Sequence, residues 1–299
     1  MKLYITPGIK EILDISKIPN KYQLVNELNE DTEIFVGSVY AIANHYIKLP
    51  NLKYILLTTA GFNQLDLEYL KINNIKLTNA RGAFSIPISE SVVAHILYVN
   101  RGLNIYQKQQ KDHEWIQHRT FIELTDAKVG FLGAGSIAVE ILNRLKPFGI
   151  TSMVYRYSNN KGPFDELYTD LEGLKTLIKE SDYIINTLPL DDSTKNLFNK
   201  DLIKLMKNNC FYVNVGRAGT HDEEAIINSL KSNKIRGAYL DVFNVEPIPK
   251  DSVLWDIPNL YITPHNTPSS TRNDERLREI ILTNLTNLIN NKDLINQIL

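Results

Sequence analysis

Short apolar runs alternate with longer amphipathic stretches along most of this chain of 299 residues. In the first hundred residues, three apolar runs predict strands: Lys2–Ile5, residues 33–37 and residues 53–58. Between them, apolar residues at helical spacing predict helices over residues 22–29 and 65–72. Strands that alternate with helices in this way indicate parallel β-α-β units.

The alternation is clearer from residue 128 onward. Lys128–Leu132 is predicted to be a buried strand, and residues 136–146 a helix that stops near Pro147 and Gly149. Further strand-like runs follow at residues 152–155, 183–187, 210–215 and 236–242. Continuously apolar strands are typical of parallel sheets covered by helices on both faces. We therefore expect an α/β protein.

Two long helical patterns suggest how the chain divides into domains. Residues 89–110 predict one connecting helix, and the last thirty residues predict a helix with an apolar face that needs a docking partner. If this helix packs back on the first domain, that domain is discontinuous in sequence. The prediction is a substrate domain of residues 1–97 completed by residues 269–299, and a dinucleotide-binding domain of residues 98–268.

Composition excludes several classes of function. The chain has 33 Lys and Arg against 34 Asp and Glu, so there is no basic excess for binding nucleic acid or anionic membranes. The single cysteine, Cys210, forms no internal disulfide and leaves no cysteine cluster for a metal. No run approaches the length of a membrane helix, and the first residues lack the apolar stretch of a secretory signal. We expect a cytoplasmic protein that binds neither nucleic acid nor membranes and holds no metal.

A glycine turn follows the strand Lys128–Leu132 and opens a helix. Gly133 is suited to the tight turn, Gly135 to close approach of a pyrophosphate, and Ala138 to packing of helix on strand. The backbone amides around Ser136 and Ile137 then lie at the positive end of the helix, where a phosphate binds. This context predicts a Rossmann-type doubly wound sheet that binds a dinucleotide.

The residue expected to select the cofactor is Arg156. A NAD-binding fold usually places a carboxylate about twenty residues after the glycine turn, at the end of the next strand. Here Tyr155-Arg156-Tyr157-Ser158 contains none. Arginine is the expected partner of a 2′-phosphate, so NADP is preferred, and an enzyme that accepts NAD as well is the alternative.

Polar residues follow three apolar strands of the second half. They lie in the segments 212–217, 237–247 and 261–265, which contain Arg217, Asp241, Glu246 and His265. Ligands of doubly wound sheets bind beyond the carboxyl ends of the strands. We expect these side chains to meet in one crevice, at the cleft between the two domains.

These motifs, in this order, resemble the D-isomer-specific 2-hydroxyacid dehydrogenases over nearly the whole chain. The matching stretches are residues 58–63, 133–138, 187–190 with Thr194, 214–217, 240–247 and 263–265. Residues 241–247, together with Leu254-Trp255 ahead of Thr263-Pro264-His265, are most similar to the glyoxylate/hydroxypyruvate reductases. The resemblance implies a flavodoxin-like substrate domain beside the Rossmann-type domain, and a homodimer built through the latter.

The resemblance also implies roles for the polar residues. Arg217 would bind the carboxylate and carbonyl oxygens of a 2-oxo acid, and His265 would protonate the carbonyl oxygen as hydride arrives from NAD(P)H. Glu246 would orient the imidazole. Backbone amides of Ala60 and Gly61 would bind the substrate carboxylate. The implied cofactor contacts, besides the glycine turn and Arg156, are Thr187, Leu188, Pro189, Thr194, Val215 and Asp241, which matches a family position near the nicotinamide.

Two other functions remain alternatives: a phosphoglycerate-type dehydrogenase, and a non-catalytic NAD(P)-sensing protein like the corepressors that share this fold. A sensor has no need of a proton donor, so His265 favours an enzyme. The sequence departs from the family pattern at Ala218, at His221, in Asn266-Thr267-Pro268 and at Asn63. These departures affect the expected substrate more than the expected chemistry, which is reduction of a small 2-oxo acid to the D-2-hydroxy acid.

Overall fold

The computed structural model describes all residues from Met1 to Leu299. The chain divides into two compact units: Met1–Phe84 with Ser269–Leu299, and Ser85–Pro268. The sequence placed the first bound at residue 97, whereas the whole helix Ser85–Asn100 lies in the second unit.

Twelve strands and ten α-helices are labelled here in chain order. The strands are β1 (Lys2–Ile5), β2 (Gln23–Val25), β3 (Ile34–Gly37), β4 (Tyr54–Leu57), β5 (Lys76–Thr78), β6 (Lys128–Leu132), β7 (Thr151–Tyr155), β8 (Glu166–Tyr168), β9 (Tyr183–Asn186), β10 (Phe211–Asn214), β11 (Gly237–Leu240) and β12 (Leu260–Ile262). The helices are α1 (Pro7–Ile12), α2 (Val39–Ile42), α3 (Leu67–Ile72), α4 (Ser85–Asn100), α5 (Leu103–Asp112), α6 (Ser136–Leu145), α7 (Leu171–Glu180), α8 (Lys200–Ile203), α9 (Glu223–Lys231) and α10 (Asn273–Ile289).

The first unit is a parallel sheet in the order β2-β1-β3-β4-β5. This is the flavodoxin-like order, so the predicted fold of this region is confirmed. Helix α10 packs on the unit through Ile281 and Leu285, and the Tyr22 hydroxyl donates a hydrogen bond to the Leu285 carbonyl at 2.6 Å. The apolar face of the C-terminal helix is therefore covered by the N-terminal part of the chain.

The second unit is a seven-stranded parallel sheet in the order β12-β11-β10-β9-β6-β7-β8. The strand order reverses between β6 and β9, as in the Rossmann fold, which confirms the predicted fold. Five neighbouring strands end in register at Leu132, Asn186, Asn214, Leu240 and Ile262. Strand β7 ends at the same edge, with Tyr155 paired to Leu132, and the loops after these six strands carry every polar residue predicted for this unit's site.

Two predicted helices differ from the structure. Residues 22–29 contain the strand β2, because Gln23–Val25 pairs with β1 along the edge of the sheet. Residues 89–110 form two helices, because Gly102 adopts a left-handed conformation with φ +64°. A side chain at Gly102 would collide with the ring of Phe121, so glycine is required at this break. None of the helices has both the length and the apolar character needed to span a membrane.

Candidate active site

The glycine turn lies between β6 and α6, at the edge where the five strands end. Gly133 has φ +93°, and its N–H donates to the Tyr155 carbonyl at 3.0 Å. Gly135 is the N-cap of α6, and Ala138 is fully buried against the sheet. A larger residue than alanine at position 138 would separate the helix from the strand, as the sequence analysis anticipated.

The turn fits the pyrophosphate of a dinucleotide. A Cβ built on Gly135 would meet nothing within 4 Å, so open space lies over the backbone here. The first helical hydrogen bond runs from Val139 N–H to the Gly135 carbonyl. Helix geometry therefore leaves the N–H groups of Ser136, Ile137 and Ala138 without an acceptor inside the helix. Three N–H groups at a positive helix terminus are suited to an anion.

Arg156 lies directly after β7, the strand next to β6 in the sheet. Its Nη1 donates to the Asn160 carbonyl at 3.1 Å, which holds the guanidinium over its own loop. No Asp or Glu occurs between residues 151 and 160. Nearby, the Tyr157 hydroxyl donates to the Ser193 carbonyl at 2.8 Å and joins this loop to the one after β9. Because Arg156 is the only charged residue between 151 and 160, this part of the loop carries a positive charge.

The loop after β9 contains Thr187, Leu188 and Pro189 and borders the glycine turn. The Thr187 N–H and hydroxyl both donate to the Leu132 carbonyl, at 3.0 and 3.2 Å. The hydroxyl of buried Thr194 donates to the Pro189 carbonyl at 2.7 Å. Thr194 is thus bound within its own loop, where it fixes the shape of residues 189–194.

Gly216 is a functional position that sequence reasoning did not identify. A Cβ here would lie 2.6 Å from the Leu188 carbonyl oxygen, so only glycine allows the loop after β10 to approach the loop after β9 so closely. Its neighbour Val215 is buried and donates from its N–H to the Asn186 carbonyl. The signal available in the sequence was a glycine directly before Arg217.

Arg217 follows β10 and is held by its main chain. Its carbonyl accepts hydrogen bonds from the Thr220 hydroxyl at 2.7 Å and from Asn214 Nδ2 at 3.3 Å. Its own Nη1 donates to the Gly216 carbonyl at 2.8 Å. The backbone of the arginine is therefore fixed by buried polar side chains.

His221 belongs to the same buried group of polar side chains. Its Nδ1 lies 2.8 Å from the Tyr212 hydroxyl and 3.1 Å from Asn214 Nδ2. Asn214 Oδ1 accepts from Gly216 N–H, so the amide orientation is set and Nδ2 faces the imidazole as a donor. Nδ1 must then be an acceptor, and burial lowers the pKa of His221 to about 4. This histidine, a departure from the family pattern, is a neutral structural support of the Arg217 loop.

Glu246 and His265 form a hydrogen-bonded pair after the neighbouring strands β11 and β12. His265 Nδ1 lies 2.8 Å from Glu246 Oε2, and Glu246 Oε1 accepts from the Phe243 N–H at 2.8 Å. The side chains remain 42% and 37% exposed, so both are accessible from solvent. A carboxylate on Nδ1 fixes the imidazole in the state that carries its proton on that nitrogen, and Nε2 is left for chemistry.

Asp241 is buried directly after β11. Its carboxylate accepts from the Thr263 and Thr267 hydroxyls at 2.5 Å each and from the Asn266 N–H at 2.9 Å. All these donors lie on the loop that carries His265, whose φ of +51° is unusual for a residue other than glycine. In this structure Asp241 shapes the histidine loop.

Ala60 and Gly61 belong to the first unit, in the loop after β4. The Ala60 carbonyl accepts from Asn79 Nδ2 at 2.7 Å, and the Gly61 carbonyl accepts from the Thr59 hydroxyl at 3.0 Å. With both carbonyls bound, the conformation of the loop is defined. The binding of substrate by its amides stays a prediction.

Comparison with known proteins agrees with this geometry. Residues 93–267 match the model of the family described as D-isomer specific 2-hydroxyacid dehydrogenase, NAD binding domain. The chain is 31% identical over 274 residues to the hydroxypyruvate reductase of Thermotoga maritima, covering 90% of this chain and 88% of that protein. It is 29% identical over 287 residues to a probable 2-ketogluconate reductase of Dictyostelium discoideum, covering 94% and 84%.

A solved structure is similar over the full length. The D-isomer specific 2-hydroxyacid dehydrogenase family protein from Aeromonas salmonicida is 28% identical, with a TM-score of 0.83 and coverage of 99% of this chain and 98% of that one. The likeness thus includes both units and is not confined to the dinucleotide-binding fold. The chain belongs to the D-isomer-specific 2-hydroxyacid dehydrogenases and is an NAD(P)-dependent oxidoreductase.

Proposed function

We propose that this enzyme reduces a small 2-oxo acid, of the glyoxylate or hydroxypyruvate class, to the D-2-hydroxy acid. The observation that carries the proposal is the His265–Glu246 pair, placed at the same strand edge as the glycine turn. A proton donor beside a dinucleotide site is what reduction of a carbonyl requires. Similarity to the hydroxypyruvate reductase of Thermotoga maritima supports the choice of substrate class.

His265 acts as the general acid. Its Nδ1 is bound to Glu246, so Nε2 is the nitrogen that donates a proton to the carbonyl oxygen of the substrate. Glu246 fixes the orientation of the imidazole through the 2.8 Å contact with Nδ1. When bound, the reduced nicotinamide supplies the hydride that C2 of the oxo acid accepts. In the reverse direction the neutral imidazole is the base.

Arg217 binds and polarises the substrate. A guanidinium presents parallel N–H donors, which match a carboxylate and an adjacent carbonyl oxygen. Its backbone is held by Thr220 and Asn214 and its Nη1 by the Gly216 carbonyl, so part of the side chain's freedom is already lost before substrate binds. The backbone amides of Ala60 and Gly61 are proposed as further donors to the substrate carboxylate.

The proposed cofactor is NADP in preference to NAD. The support is Arg156 after β7, with Lys161 in the same loop and no carboxylate between them. The ribose hydroxyls of NAD are usually bound by a carboxylate, which this loop lacks, whereas a 2′-phosphate gains a charge-assisted hydrogen bond from Arg156.

Steady-state kinetics with NADPH and NADH test this choice. Arg156→Asp should raise KM for NADPH at least about tenfold and change KM for NADH little, because only NADPH carries the 2′-phosphate. Lys179→Asp, an exposed change of the same charge on α7, is the control. Wild-type protein that prefers NADH would contradict the proposal.

A homodimer is also proposed, built through the second unit. The segment after α5 exposes apolar side chains, with Trp115 93% exposed and Ile116 52% exposed. A surface cavity of about 420 Å³ lies between this segment and α5, lined by Tyr106 and Trp115 among others. Exposed apolar surface of this kind is typical of an interface. Trp115→Ala should weaken self-association in analytical ultracentrifugation, whereas Trp255→Ala, at a tryptophan 51% exposed, should not.

The proposed activity is tested by following absorbance at 340 nm with NADPH and a panel of 2-oxo acids. Oxidation of NADPH with glyoxylate or hydroxypyruvate, at least about 100-fold slower in His265→Ala, is the expected result. A phosphoglycerate-type dehydrogenase would instead act only on the phosphorylated analogue. Cofactor binding without turnover on any substrate would favour a sensor.

A further inference from the structure

A second carboxylate, that of Glu223, reaches the turn from which Glu246 acts. Glu223 is the first residue of α9, and its Oε2 accepts a hydrogen bond from the Asn244 N–H at 3.0 Å. The next N–H toward the start of the chain, that of Phe243, donates to Glu246 Oε1 at 2.8 Å. Two adjacent amides of one turn are thus bound by two different carboxylates.

Glu223 is half-buried where it binds the amide next to the one that Glu246 binds. The pKa of Glu223 is raised, first by burial and then by the negative charge of Glu246, although the Asn244 N–H acts in the opposite direction. Neighbouring Glu224 is exposed, as is usual for a glutamate in the first turn of a helix. Keeping a half-buried carboxylate beside another has an electrostatic cost. Glu223 therefore differs from an ordinary surface glutamate, which would extend into solvent.

Packing anchors this turn only at its two ends, through buried Phe243 and partly buried Ile248. Asn244, Val245, Glu246 and Pro247 are all exposed, and Val245 is 62% exposed. Packing therefore contributes little to the position of these residues, and hydrogen bonds have to fix them. The bond from Asn244 to Glu223 ties the turn to α9, which Asp222 caps by accepting from the Ala225 N–H at 2.9 Å.

We propose that Glu223 is a positioning residue: by binding the Asn244 N–H it holds the Phe243–Glu246 turn so that Glu246 can orient His265. The kinetic test of this role rests on the proposed function, because it measures turnover of a 2-oxo acid. Because Glu223 acts on the turn through an accepted hydrogen bond, glutamine should replace it and alanine should not.

The kinetic test compares Glu223→Ala, Glu223→Gln and the control Glu224→Ala in full-length protein. In Glu223→Ala, kcat for 2-oxo acid reduction should fall about tenfold, since a small misplacement of the acid is costly. KM for the oxo acid and the dissociation constant of NADPH should stay within about twofold. Glu223→Gln should recover kcat to within about threefold of wild type, and Glu224→Ala should match wild type. Equal kcat values in Glu223→Ala and wild type, or equal losses in the alanine and glutamine variants, would overturn the proposal.

A second readout does not depend on turnover. Long-range ¹H–¹⁵N spectra of ¹⁵N-histidine-labelled protein report which imidazole nitrogen carries the proton, and six histidines make assignment by His265→Asn practical. Wild type and Glu223→Gln should show His265 protonated on Nδ1, whereas Glu223→Ala should show a mixture of states. An unchanged His265 spectrum in Glu223→Ala overturns the positioning role. If the spectra change as expected but no 2-oxo acid is reduced by wild type, the proposed function fails and the role of Glu223 stands.

Discussion

His265 Nδ1 and Glu246 Oε2 lie 2.8 Å apart, although the residues are 19 positions apart in sequence. Both side chains are about two-fifths exposed, and an exposed ion pair stabilises a protein by only about 0–1 kcal/mol. The pair therefore contributes little to the stability of the fold. The pair matters for catalysis instead, because Glu246 fixes Nδ1 of the imidazole and leaves Nε2 accessible to a substrate.

Removal of the imidazole should abolish most of the activity. His265→Ala should lower kcat by at least about 100-fold, because general acid catalysis is lost. Binding of NADPH, measured by fluorescence titration, should stay near the wild-type value, and Glu246→Gln should give a smaller loss in kcat. Wild-type turnover by His265→Ala would show that another group supplies the proton.

Arg217→Lys should be severe despite the conserved charge. An ammonium group cannot reproduce the fork of a guanidinium, so kcat/KM for the 2-oxo acid should fall by at least about 100-fold. The affinity for NADPH is the internal control and should change little. A lysine variant with normal kcat/KM would mean that Arg217 does not contact the reacting part of the substrate.

Asp241→Ala should act on the loop that carries His265. Removal of the carboxylate takes away the acceptor that the Thr263 and Thr267 hydroxyls and the Asn266 N–H share, although Thr263 keeps its contact with the Tyr239 hydroxyl. Each buried donor that stays unpaired costs about 1–3 kcal/mol. We expect a lower free energy of unfolding together with a lower kcat. Asp251→Ala, at an exposed position, is the control and should change neither quantity. A variant that lost activity at unchanged stability would instead place Asp241 in direct contact with the cofactor.

Burial of His221 should make stability depend on pH. Its pKa is about 4 in the folded chain and 6.5 without burial, so above pH 6.5 the group is neutral in both states and has no effect. Between pH 6.5 and 4 the unfolded chain binds a proton that the folded chain does not, so stability falls as pH falls. At pH 5 this loss is about 2 kcal/mol relative to pH 7.

Urea unfolding of wild type and His221→Leu at pH 7 and pH 5 measures that loss. The leucine variant should be less stable at pH 7, because the Tyr212 hydroxyl and Asn214 Nδ2 lose the acceptor that His221 Nδ1 provides. Its further decrease on acidification should be smaller than that of wild type. Equal decreases in both proteins would show that His221 is protonated, or accessible, in the folded state.

Strands were the most predictable elements, for a local reason. β6, β9 and β10 are buried on both faces, so their sequences are continuously apolar and differ from the predicted bounds by at most one residue at either end. β2 was missed because it has three residues at a sheet edge, and its pairing with β1 is a tertiary contact. The break at Gly102 was missed although a glycine inside a helical pattern is itself a signal for one, because a glycine alone does not fix a left-handed conformation.

The candidate site divides in the same way. Arg217, Glu246 and His265 were predicted because each follows an apolar strand, and parallel strands end at a common edge. The sequence did not predict the roles of Gly216 and Glu223 or the hydrogen bonds of Asp241, because each depends on how closely one loop approaches another. The resemblance implies that Thr194 contacts the cofactor. In the structure its hydroxyl donates to the Pro189 carbonyl, a contact that no sequence pattern shows.

The central claim is that this chain transfers a hydride from a nicotinamide to C2 of a 2-oxo acid. The most direct measurement uses NADPH carrying deuterium at both C4 positions, with glyoxylate and hydroxypyruvate as acceptors and mass spectrometry of the products. We expect hydroxy acids one mass unit heavier than those formed with unlabelled NADPH, the D isomer from hydroxypyruvate, and formation of both products at least about 100-fold slower with His265→Ala. Failure of wild-type protein that binds NADPH to form a labelled hydroxy acid from either acceptor would contradict the central claim.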